Sequence, residues 1–237
     1  EGASALANFF DELRLKIKAL GRSKAGSDAA PVRAPAKVRK LRPAAIAIGC
    51  TTGGPPALQK ICARLKNKLS VPLFITQHMP PTFTAMLAEQ LGQISAAPAF
   101  EGADAMAVQP GSIYVAPGGR HMLVERALGR VTIRLSDAPP ENFCRPAVDP
   151  MLRSLANAYG PDLLTVILTG MGRDGADGCV AVAERGGHFI TQDETSSVVF
   201  GMPGAAFKTG RAFAQMSLDE IGAYLAETME RGVDLKR

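Results

Sequence analysis

The chain has 237 residues, 46% hydrophobic and 21% charged, with no Trp and a formal net charge of +5. That length supports one good-sized domain plus an appendage, and no apolar run is long enough to cross a bilayer. Acids and bases interrupt the first twenty residues, so no secretory signal is expected there, and the isolated cysteines Cys50, Cys62, Cys144 and Cys179 suit buried thiols in a reducing cytoplasm better than disulfides or a metal cluster.

Charge is uneven along the chain. Residues 1–43 hold ten Lys/Arg against four Asp/Glu, which leaves 17 against 18 for the rest. The basic balance therefore belongs to the leading segment, where a solvated linker is a plainer reading than a nucleic-acid or lipid contact. Glu1 in place of Met suggests a fragment or processed chain. In "NFFDELRLKIKAL", Phe9, Leu13, Ile17 and Leu20 share one helical face, so residues 1–20 are expected to form an amphipathic helix that needs a partner. Residues 21–43 are small, Pro-containing and basic without an apolar period, and are expected to be a flexible linker.

From Ala44 onward apolar runs alternate with helical ones. "AAIAIG" (44–49), "VPLFITQ" (71–77), "LLTVILTG" (163–170) and "HFITQD" (188–193) predict strands, with predicted helices over 55–66, 81–95, 149–160 and 175–187. Continuous apolar strands separated by helices predict a three-layer, doubly wound α/β domain over 44–237, its mostly parallel sheet covered on both faces. "SIYVAP", "HMLVER" and "RVTIRLS" (112–136) lie close together and predict an antiparallel hairpin addition.

Open parallel sheets carry their sites at the carboxyl ends of the strands. Thr51 and Thr52, Gln77 and His78, Thr169 to Asp174, and Gln192 with Asp193 all follow strands and belong to one edge. His188 begins a strand and belongs to the other, while His121 is ambiguous. Each member has a plain structural reading: a threonine before "GGPP" caps a helix, His78 ends a strand and Asp174 closes a turn. Together they supply a hydroxyl, an imidazole and a carboxylate, the parts of a nucleophile–base–orienter triad. No Gly-rich phosphate loop or metal-ligand spacing accompanies them, so no cofactor and no metal are expected.

The blocks "IGCTTGGPPAL", "ITQHMPPTFT", "VAPGGRHM", "RPAVDPML", "VILTGMGRDGADG" and "QDETSSVVFGMPGAA" resemble, in order, those of the chemotaxis protein-glutamate methylesterase family (CheB type) over residues 44–230. The resemblance implies hydrolysis of glutamate methyl esters on the cytoplasmic helices of methyl-accepting chemoreceptors. In some members it also implies deamidation of receptor glutamines. It implies a cytoplasmic enzyme without nucleic-acid binding or membrane insertion. Residues 1–20 then resemble the end of a receiver domain that this chain lacks. Position by position, the resemblance makes His78 the base, Asp174 the orienting acid and Thr51 the nucleophile, with Thr52 and Met171 supplying backbone oxyanion contacts. The family normally has Ser where this chain has Thr51, so a catalytically silent module that binds receptor or receiver partners is the alternative. Threonine keeps the hydroxyl but stiffens χ1. An off-rotamer Oγ1 would cost roughly 0.5–1.5 kcal/mol, a few-fold to about tenfold in rate.

Overall fold

The structure is a computed structural model that describes residues 38–231 and 233–236. The expected helix over 1–20 and all but the end of the expected linker lie outside the described residues. The end of that linker is strand: β1 (Val38–Leu41) pairs antiparallel with β11 (Val233–Lys236).

The body is built on seven parallel strands. In chain order they are β2 (Ala45–Cys50), β3 (Leu73–Gln77), β4 (Ala99–Glu101), β5 (Ile113–Val115), β8 (Leu163–Ile167), β9 (His188–Gln192) and β10 (Ala214–Met216). Across the sheet the order is β10-β9-β8-β2-β3-β5-β4, parallel throughout. The helices are α1 (Gly54–Arg64), α2 (Pro81–Ser95), α3 (Val148–Tyr159), α4 (Ala176–Glu184), α5 (Met202–Phe207) and α6 (Leu218–Arg231).

Strand alternation divides the core into two layers. Ile46 and Ile48 of β2 point into one layer with Leu58 and Ile61 of α1, Leu91 of α2, and Ile221 and Leu225 of α6. Ala45 and Ala47 point into the other with Val148, Leu152 and Leu155 of α3, Cys179 of α4 and Met202 of α5. The small β2 residues on the second face let α3 approach closely: a Cβ added at Gly49 would fall 2.9 Å from Val148 Cγ2. Each fully buried Leu or Ile contributes about 1.5–3 kcal/mol, so both faces are needed to hold the sheet.

The antiparallel addition is present as β6 (His121–Ala127) paired with β7 (Arg130–Ser136). The predicted grouping of 112–136 was too broad, however, because Ile113–Val115 joins the main sheet beside β3. Its three residues are fully buried, and pairing on both sides fixes their direction where a three-residue run carries too little pattern to do so. Among the described residues no helix is long and apolar enough to cross a membrane.

Successive strands run outward from β2 through β3 in one direction and from β8 through β9 in the other. The order reverses between β2 and β8, and the crevice beyond their carboxyl ends is where open α/β sheets bind ligands.

Candidate active site

Thr51 and Thr52 leave β2 at that crevice, and their backbone is pinned on both sides. Thr51 N donates to Thr169 O at 3.1 Å, Thr51 O accepts from Gly54 N at 2.8 Å, and Gln77 Nε2 donates to both Thr51 O and His78 O at 3.1 Å. The cap of α1 is Gly53, at φ 79 in the left-handed region, and no side chain caps the helix. This corrects the capping expected of the threonines. The second and third helical residues are Pro55 and Pro56, which have no N–H for a hydroxyl to accept. The Thr51 hydroxyl is therefore not taken up by the helix. Its extra methyl lies against Gly170: a Cβ there would come within 2.6 Å of Thr51 Cγ2 and 3.0 Å of Thr51 N.

His78 follows β3 and Asp174 follows β8, and the structure brings them into contact, with Nε2 2.6 Å from Asp174 Oδ2. Asp174 is buried. The same oxygen accepts from Val148 N at 2.6 Å, while Oδ1 accepts from Asp149 N and Asn142 Nδ2, both at 3.1 Å. Two of its donors are thus N–H groups of the first turn of α3, where a helix favours negative charge. Burial alone would raise the Asp174 pKa, but the His78 hydrogen bond and charge, with the two backbone donors, lower it. Burial likewise opposes charge on His78, yet the bonds to Asp174 and Cys144 outweigh it and raise its pKa to about 9. Behind the pair, buried Asp149 accepts from Gly178 N at 2.6 Å and from Asn142 Nδ2 at 2.8 Å. Desolvation, followed by the nearby Asp174 charge, lifts Asp149 to about 6.

The remaining imidazole nitrogen does not meet Thr51. His78 Nδ1 lies 3.2 Å from Cys144 Sγ, and among the described residues no hydrogen bond joins His78 to the Thr51 hydroxyl. Sequence reasoning missed Cys144, Asn142 and Asp149 as members of the site. "RPAVDPML" marks the neighbourhood, but nothing in its spacing points to a histidine 66 residues away. Thr52 and Met171 stand at the same edge, and among the described residues neither N–H has a hydrogen-bond partner. His121 is structural: Nδ1 accepts from Ala147 N at 3.1 Å, which leaves Nε2 to donate to Pro139 O at 3.1 Å. His188 starts β9 at the far edge, edge-on to Phe213.

This arrangement has known counterparts. Residues 46–225 match the family model described as CheB methylesterase. The chain is 49% identical over 202 residues to a protein-glutamate methylesterase/protein-glutamine glutaminase of Azospirillum brasilense, covering 85% of this chain and 51% of that one. A similarly named protein of Paramagnetospirillum magneticum is 50% identical over 190 residues, covering 80% and 50%. The chain therefore spans about half the length of the curated relatives it matches. The crystal structure of the Thermotoga maritima CheB methylesterase catalytic domain superposes with a TM-score of 0.75 at 37% identity, covering 79% of this chain and 99% of that one. With three quarters of its length matched to the family model and the sheet and its helices shared with that domain, the chain belongs to the CheB methylesterase family.

Proposed function

We propose that the domain hydrolyses glutamate γ-methyl esters on the cytoplasmic helices of chemoreceptors, with Thr51 as nucleophile, His78 as base and Asp174 as orienting acid. The observation that carries this reading is the 2.6 Å contact between His78 Nε2 and a buried Asp174, at the crevice where the uncapped Thr51 hydroxyl lies. Asp174 accepts only, so Nε2 bears a hydrogen and Nδ1 is left to take the hydroxyl proton. Thr51 Oγ1 then attacks the ester carbonyl, and the oxyanion meets the unpartnered N–H groups of Thr52 and Met171. Collapse expels methoxide, which takes the proton back from Nδ1 and departs as methanol. Water, deprotonated by the same nitrogen, hydrolyses the acyl-threonine and frees the carboxylate. A glutamine side chain would follow the same course with ammonia leaving.

The rim suits a helical protein substrate. Phe83 and Met86 of α2, Phe143 beside Cys144, and Val198 beside Gly53 are exposed apolar groups along this edge. In this reading residues 1–20 are the end of a receiver domain, 21–43 is the linker to it, and the protein works in the cytoplasm. The second reading is a catalytically silent module that binds receptor or receiver, favoured by the missing His78–Thr51 hydrogen bond.

Methanol release from methylated receptor fragments tests the enzyme reading. His78→Ala should lose about 10²–10⁴-fold in rate, and Asp174→Asn should lose much of the same while the fold persists. Retention of the parent rate by folded His78→Ala would rule out the assigned base.

A further inference from the structure

The imidazole of His78 is held at both nitrogens. Asp174 takes Nε2, so Nδ1 is the one position from which this side chain can accept a proton. That position is occupied by Cys144 Sγ at 3.2 Å. The thiol is offered by a tied loop. Glu141 and Cys144 exchange backbone hydrogen bonds at 3.1 and 2.9 Å, Glu141 pairs with Arg153, and Asn142 Nδ2 bridges the carboxylates of Asp149 and Asp174. Asn142 and Phe143 sit at φ 50 and 62. A left-handed Phe is rare and persists only where its surroundings over-determine it.

We propose that Cys144 is a positioning residue that locks the base: its sulfur holds Nδ1 of His78, and the Thr51 hydroxyl must displace it before hydrolysis begins. This inference rests on the reading of His78 as the base. The titratable and charged groups around the pair are Asp174 from the loop before α4, Asp149 of α3 with Asn142 between them, the Arg153–Glu141 ion pair, and the buried Cys50 that ends β2 beside His78. Of these, Asp174 and Cys144 hydrogen-bond the ring, Asp174 at Nε2 and Cys144 at Nδ1.

The test follows His78 itself by NMR titration of its imidazole in the full chain, in Cys144→Ala and in Cys144→Ser. Methanol release is measured across the same pH range. Cys144→Ala should shift the His78 midpoint and, by freeing Nδ1, raise kcat/KM on its alkaline plateau by up to about tenfold. Cys144→Ser, which keeps a hydrogen-bonding group at Nδ1, should fall between. A purely structural role would leave the midpoint where it is. An unmoved midpoint in both folded variants overturns the lock, as does a lower plateau rate in Cys144→Ala. If the midpoint moves while no form releases methanol, the lock stands and the ester reading fails. If methanol is released and the midpoint stays, only the lock falls.

Discussion

As the proposed base, His78 would set the pH behaviour of hydrolysis. Hydrolysis needs Nδ1 unprotonated, and its pKa is raised to about 9, so kcat/KM should climb with pH from 7 toward 9. A bell centred below pH 7 would contradict the assignment. The same residue leaves a mark on stability. A histidine whose folded pKa exceeds its unfolded 6.5 adds stability that is fully present below 6.5 and is lost as pH rises through about 9. Urea midpoints should therefore fall between pH 6.5 and 9, and His78→Ala should flatten that fall. Thr51 gives the other residue-scale lesson. Its methyl is not squeezed by the helix start, because the cap is Gly53, and it sits in the space that Gly170 leaves.

At the scale of elements, two helix starts hold the acid. Asp174 accepts from the first turn of α3, and Asp149 of α3 accepts from Gly178 in the first turn of α4. Asp149→Ala should cost about 1–3 kcal/mol, since it leaves the buried Gly178 N–H without a partner and removes one acceptor from half-buried Asn142; chemical denaturation measures this, and a loss under about 0.5 kcal/mol would deny the clasp. Gly170→Ala should cost about 1–3 kcal/mol by overpacking and should lower turnover further by pushing Thr51, measurable as a kcat loss at temperatures where the variant stays folded. Strands β2, β3, β8 and β9 are legible in the sequence because burial on both faces makes them continuous apolar runs. Strands β4 and β10 are not, since three residues carry no period, and for β5 the strand is legible but its parallel pairing is not. The start of α6, which sequence reasoning did not single out, is held by a capping box: Ser217 Oγ accepts from Glu220 N while Glu220 Oε2 accepts from Ser217 N. The start of α1 misleads, because Thr-Thr-Gly-Gly reads as a side-chain cap until the two prolines are seen to remove the donors.

At the scale of the molecule, the sheet topology joins residues far apart in the chain. His78 and Asp174 are 96 residues apart yet share a 2.6 Å contact, and the rule that parallel sheets work at their carboxyl edge was enough to expect both there. The rule says which edge, not which partner. It places Thr51, His78 and Asp174 together but is silent on Cys144, which arrives on a loop whose path depends on the Asn142 bridge. The central claim is that a threonine hydroxyl at the end of β2 performs ester hydrolysis. The most direct measurement is methanol release by Thr51→Ser and Thr51→Ala beside the parent protein. Removing the methyl frees the rotamer and gives the ester room, so Thr51→Ser should be faster by a few-fold to about a hundredfold, and Thr51→Ala should release no methanol above the uncatalysed rate. A folded Thr51→Ala that matches the parent would place the nucleophile elsewhere, and folded Ser and Thr forms that are both inert would leave a binding module.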